Sequence, residues 1–283
     1  MTGTSRRGSS LLELMAALTG LVVVSSLVAQ VIITQTRVAL TQEARTGLGG
    51  GLRTGVTFLS AEWRDLTPAS AGSSGDLLFL GPDALTYRAP RASGLACSGG
   101  QDQILLRADP WYGLRQLAPD RDSLLVLIEG DTATSFDDRW LPLPVISVGS
   151  GACQGTPAMV VGTRLDSAIV QSDVRFDAPV IAFEIMQVRS YLQASQTWLG
   201  ARSVSAGEVI QPLLGPLDAS GLRLTYLDAR GATTSLPGDV RAILAGLSLV
   251  SGHPVHSHGA LGPSSPLRDS VVVRLTLRSG SGP

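Results

Sequence analysis

The 20 residues from Leu14 to Ile33 carry no charge, and no Asp, Glu, Lys or Arg interrupts the chain between Glu13 and Arg37. A helix of that length spans about 30 Å, the thickness of a bilayer's hydrocarbon core. The run therefore reads as a single membrane-crossing helix, and whatever else folds must lie to one side of it. Arg6 and Arg7 stand before it. The positive-inside bias then places residues 1–8 in the cytoplasm and everything after Arg37 beyond the membrane. Glu13 is the exception within this apolar setting. Insertion scales put a carboxylate at a helix centre at roughly 2.5–3.5 kcal/mol, and less near an end, so an acid there calls for a partner.

Four readings of the first 35 residues compete. Ser5-Arg6-Arg7 opens like a twin-arginine export signal, but the apolar pair and the Lys that follow in such signals are missing. An ordinary secretory signal has a shorter apolar core and a small-x-small cleavage site, whereas here the run reaches Ile33 and the large Leu27 stands two positions before Ala29. A plain signal-anchored helix is the third. The string Arg6-Arg7-Gly8-Ser9-Ser10-Leu11-Leu12-Glu13-Leu14-Met15 most closely resembles the signal of type IV prepilins, with basic residues, Gly at the cut and Glu at the fifth mature position. Ser9 stands where that family usually carries Phe. The resemblance implies cleavage after Gly8 by prepilin peptidase, N-methylation of Ser9, and retention of the helix as an assembly element in which Glu13 meets the terminal amine of a neighbouring subunit.

Beyond the span the pattern becomes amphipathic. Leu48, Leu52, Val56, Leu59, Trp63 and Leu66 recur at three- and four-residue spacing, one apolar stripe that should lie on a folded domain. Gly47, Gly49, Gly50, Gly51 and Gly55 fall inside it, each about 1 kcal/mol less favourable than Ala in a helix. A bend or melted turn near Gly49–Gly51 is one expectation and close helix packing another; Thr67-Pro68 closes the helix.

The rest reads as β structure. Gly and Pro together number 48 of 283 residues, which favours short strands and many turns over a helical bundle. Strands are predicted at Leu77–Leu80, Ala84–Arg88, Ile104–Arg107, Leu124–Ile128, Met159–Val161 and Val180–Val188, and a half-buried one where Val271, Val273, Leu275 and Leu277 alternate with Val272, Arg274 and Thr276. The fold class expected is α+β and pilin-like, a long transmembrane and amphipathic helix followed by a mainly antiparallel β domain. Its divisions are 1–8 leader, 9–36 transmembrane and assembly helix, 37–67 amphipathic continuation and 68–283 exported domain.

The stretch from Pro212 through Leu222-Arg223-Leu224-Thr225-Tyr226-Leu227-Asp228-Ala229-Arg230-Gly231, with Val240–Ile243 and Val271–Arg278, is similar to the late part of the PilW and PulJ (GspJ) group of minor pilins and pseudopilins. Read from the residues alone, Tyr226 and Asp228 are a strand end and a turn starter.

Cys97 and Cys153 are the only cysteines, each beside glycines in what reads as surface loops, and in an oxidising compartment they are a candidate disulfide. Closing that loop would contribute about 4 kcal/mol in the chain-entropy model. His253, His256 and His258 are enough in number for a zinc or copper site, but a Gly, Pro and Ser-rich loop gives them no fixed geometry, and a solvated loop is the simpler reading. Glu129 to Asp131 and Asp137-Asp138 lack the ligand alternation of a calcium loop and read as turn residues. There is no Gly-x-Ser-x-Gly, His-Glu-x-x-His or phosphate loop, and no Lys, so neither an enzyme nor a cofactor is expected. A formal charge of −1 gives no support for nucleic-acid binding.

The function these signals imply is a minor pilin or pseudopilin, at the tip of or priming a type IV pilus or type II secretion pseudopilus. Its partners would be prepilin peptidase, other pilins or pseudopilins, an inner-membrane assembly platform and, before assembly, lipid. The chain would be a single-pass inner-membrane protein with its N-terminus in the cytoplasm, later part of a surface pilus or periplasmic pseudopilus. A major filament subunit and a signal-anchored extracytoplasmic binding protein are the alternatives.

Overall fold

The computed structural model describes residues 11–69, 75–100, 102–113, 115–130, 137–164, 174–256 and 264–278. Contacts divide the chain into two units, 1–49 with 251–268 and 50–250 with 269–283.

The first unit contains α1 from Leu11 to Gly49; the whole helix runs Leu11–Trp63. It passes through Gly47–Gly55 as continuous α-helix, so the melted turn expected at Gly49–Gly51 is not found. Residues 251–268 contribute the end of one strand and the start of the next. There Ser251 Oγ accepts a hydrogen bond from the Leu267 amide at 2.9 Å and donates to the His253 carbonyl at 2.7 Å.

In the second unit the strands are β1 (Leu77–Leu80), β2 (Ala84–Gly99), β3 (Gln103–Gly113), β4 (Ser123–Ile128), β5 (Arg139–Cys153), β6 (Thr156–Thr163), β7 (Pro179–Gln193), β8 (Gln196–Ser203), β9 (Gln211–Leu227), β10 (Ala242–His256) and β11 (Ser264–Thr276). The last two run on into the first unit. They form one sheet in the order β1-β2-β3-β6-β5-β4-β7-β8-β9-β10-β11, with β2 also paired to β7. That extra ladder, from Ala84↔Arg189 to Leu95↔Pro179, closes β2-β3-β6-β5-β4-β7 into a ring of six antiparallel strands. Closure removes the exposed edges of those strands. The ring encloses Ile104, Leu106, Leu124, Val126, Val161 and Val180, all fully buried.

The predicted strands are all present, β1 with the expected bounds, β2, β3, β4, β6 and β7 extended, and β11 beginning earlier but ending at Thr276, so that Leu277 lies just beyond it. In β11 the alternation holds where it was expected: Leu275 is buried and Val271 and Val273 are half-buried, against exposed Val272, Arg274 and Thr276. β5 and β8 fall in stretches for which no strand was expected. Tyr226, next to last in β9, donates its phenol to the Gly81 carbonyl at 2.8 Å. Asp228 accepts from the amides of Arg230 and Ala232, both at 2.9 Å, as a turn starter should.

Candidate functional site

Sixteen large apolar side chains between Leu11 and Leu40 are at least half exposed. A helix apolar on all sides belongs in a membrane or among other helices rather than in water, and α1 is long and apolar enough to cross a bilayer. Several of its hydroxyls bond back to carbonyls one turn earlier in the helix. Thr19 donates to the Ala16 carbonyl at 2.9 Å, Ser26 to Val23 at 2.8 Å, Thr34 to Gln30 at 2.8 Å and Thr36 to Ile32 at 2.9 Å. Such back-bonding satisfies these four donors in an apolar medium. Glu13 sits in the first turn of α1 and is exposed. Gly8 and Ser9 lie outside the described residues.

Residues 50–63 of α1 pack on the sheet. Leu52, Leu59 and Trp63 are buried, as is Leu66 just past the helix end, as the stripe predicts. Gly55 stands in the same row: a Cβ there would fall 2.7 Å from Leu214 Cδ2 on β9 and 2.9 Å from Leu247 Cδ1 on β10. Gly51 faces Leu214 similarly, at 3.2 Å. Gly50, by contrast, has nothing within 4 Å. Close packing thus accounts for Gly51 and Gly55 and leaves Gly50 without a packing reason.

At the helix end Trp63 meets Tyr87 of β2 edge to face, with centroids 6.3 Å apart. The Tyr87 phenol donates to Glu62 Oε2 at 2.9 Å. Arg91 reaches the same carboxylate at 3.2 and 3.3 Å and Glu184 of β7 at 2.5 Å. Glu184 also faces Arg115 at 3.4 Å and Arg121 at 3.9 Å. Arg115 grips Asp122 with two bonds of 2.7 Å, and Arg121 pairs with Glu208 at 2.6 Å. Burial opposes the charge of Arg91, but Glu62 and Glu184 outweigh it and hold its pKa above the ordinary value. Burial raises the Tyr87 phenol well above its usual range, with the Glu62 charge adding to it. Just beyond, Asp76 Oδ2 accepts from the Thr67 amide at 2.7 Å and its hydroxyl at 2.6 Å. Burial raises the Asp76 carboxyl despite those bonds.

The sequence gives no sign of this charged row, because its members are scattered from residue 62 to 208 and no local motif links them. Cys97 and Cys153 form a disulfide, with Cα atoms 6.1 Å apart. Contrary to the loop expectation, Cys97 lies near the end of β2, Cys153 is the last residue of β5, and both are buried. They lie together at one end of the ring because β3 and β6 between them are paired in register. His253 and His256 belong to β10 rather than to a loop; His258 lies outside the described residues, as does Asp131. Among the described residues no group of three His, Cys, Asp or Glu side chains is placed to hold a metal. Glu129 pairs with Arg175 at 2.9 Å, and Asp138 accepts from the Gly130 amide at 3.4 Å.

Comparison of the chain with protein-family models, curated proteins and solved structures finds no match.

Proposed function

We propose that this chain is a pilin-like assembly subunit of the PilW or PulJ kind, processed after Gly8 and built into a filament through α1. The observation that carries the reading is a single 53-residue helix: its first seven turns or so, Leu11 to Thr36, are exposed and apolar around one carboxylate, and residues 50–63 pack one face on an antiparallel sheet. A helix whose only task is anchorage has no need to continue unbroken into the core of the domain it holds. The disulfide fits the same arrangement, since such bonds persist outside the reducing cytoplasm. Glu13 then pairs with the N-terminal amine of the next subunit, which compensates its removal from water and sets the register of the helices.

Intact mass and N-terminal sequencing of membrane-extracted protein test this. A mature chain starting at Ser9, and lost in Gly8→Ala, is expected. A start at Met1 in the wild type refutes processing and leaves an anchored display protein; a start near Gln30 leaves a secreted one.

A further inference from the structure

The face of β7 and β8 turned away from α1 has no part in assembly as described above. Side chains alternate along a strand, and Met186 of β7 pairs with Tyr87 of β2, whose ring packs on the helix. Gln187, Arg189 and Tyr191 therefore point the other way, with their β8 partners Arg202, Gly200 and Trp198. Both aromatic side chains are partly exposed. Each rests on a glycine: a Cβ on Gly200 would fall 2.6 Å from Tyr191 Cε1, and one on Gly215 would fall 2.6 Å from Trp198 Cε3 and 2.7 Å from Cδ2. Neither glycine has a positive φ, so what the rings require there is space rather than an unusual backbone. An aromatic ring laid over a strand glycine stabilises a sheet by itself, but that role does not call for the charge found beside these two.

Arg189 has its Nε buried with no hydrogen-bond partner. Arg202 is held in place by its Nε bond to Gln187 Oε1 at 2.9 Å. No carboxylate shares this face among the described residues of β7 and β8, and the nearby Asp83 carboxylate is engaged by the Ser190 hydroxyl at 2.9 Å. The outer π-faces of Tyr191 and Trp198 are electron-rich and suit the C–H face of a pyranose ring. Two guanidiniums that form no ion pair among the described residues suit its carboxylate, bidentately. A nucleic acid strand presents a phosphate at every step and needs a longer track of cations than two.

We infer that this face binds an acidic polysaccharide, with Trp198 and Tyr191 stacking on successive sugar rings and Arg189 and Arg202 taking uronate carboxylates. The test is equilibrium binding of fluorescent hexagalacturonate to the full chain in detergent, beside maltohexaose and an oligothymidylate. Saturable, salt-weakened binding of hexagalacturonate is expected, with Trp198→Ala about tenfold weaker, as loss of one stacking contact implies. Arg189→Gln, which leaves both rings in place, should weaken hexagalacturonate selectively if Trp198→Ala fails to fold. Absence of saturable binding overturns the proposal, and so does equal affinity for maltohexaose. Wild-type affinity in folded Arg189→Gln does the same, and tighter binding of the oligothymidylate would assign the face to single-stranded nucleic acid instead.

Discussion

Arg91 Nε donates to Glu184 Oε1 at 2.5 Å, joining β2 to β7, while the other two nitrogens of the same guanidinium hold Glu62 on α1. One side chain thus fastens the packed end of the helix to the two long strands that the barrel and the open sheet share. The contact is shielded from water, with Glu184 9% and Arg91 15% exposed in their side chains.

Glu184→Ala removes the carboxylate that Arg91 and Arg115 share, while Arg91 keeps Glu62 and Arg115 keeps Asp122. A loss of about 1.5–3 kcal/mol is expected, as for a hydrogen bond to a charged group. Glu208→Ala, which removes only the far, 41% exposed end of the row, should lose less than about 1 kcal/mol. Urea unfolding of the two variants in the same detergent compares them; equal losses would show that the row does not centre on Glu184.

Asp76 gives the domain a pH dependence of known sign. Its folded pKa lies above the ordinary value of 3.8 because burial penalises the charge. As pH rises from below 3.8 the unfolded chain ionises first, so stability is lost through that interval and stays lost above the folded pKa. Asp76→Asn keeps an acceptor for Thr67 and removes the ionisation. The wild type should therefore lose stability relative to the variant as pH rises, which thermal melts across the acid range would read. A constant difference would place the Asp76 pKa at its ordinary value.

Removing the disulfide with Cys97→Ser and Cys153→Ser together should destabilise the domain by about 4 kcal/mol, given the 56-residue separation of the two cysteines. Adding reductant to the wild type should approach the same unfolding midpoint. A midpoint unmoved by both treatments would mean that the paired strands alone hold this end of the ring.

Gly50 and Gly55 should respond in opposite directions. Gly50 faces open space, so Gly50→Ala is expected to stabilise α1 by up to about 1 kcal/mol. Gly55→Leu drives a branched side chain into Leu214 and Leu247 and should destabilise by about 1–3 kcal/mol. Circular dichroism melts distinguish them; a stabilising Gly55→Leu would contradict the close approach of helix and sheet.

Glu13→Ala should leave membrane insertion and the fold of residues 50–250 unchanged while abolishing incorporation into filaments, measured by co-fractionation with sheared or extracted assemblies. Incorporation at wild-type level would remove the proposed pairing with a neighbouring terminal amine.

The apolar span, the stripe from Leu52 to Leu66 and the positions of seven strands were legible because each is a local pattern. A helix or strand records, in its own periodicity, which of its sides leaves water. β5 and β8 escaped that reading. In β5 the residues from Ile146 to Ala152 are exposed in an unbroken run, so it has no alternation there to detect. In β8 Gly200 makes room for the Tyr191 ring of β7, and a glycine within so short a run reads as a turn signal. The cysteines were legible as a pair, but their glycine neighbours suggested loops, whereas the strands run to their ends.

By itself, then, the sequence determined a chain with one membrane-length helix, an amphipathic continuation, a turn-rich antiparallel domain and two cysteines able to bond. Only the tertiary structure decided that β2 and β7 pair to close a barrel, that Arg91 meets Glu184 across 93 residues, and that Tyr191 and Trp198 share a face with Arg189. The reason is physical: hydrophobic periodicity depends on each residue's nearest neighbours along the chain, whereas ion pairs, ring contacts and barrel closure depend on which distant strands become adjacent. That choice rests on the summed burial and hydrogen bonding of the whole domain.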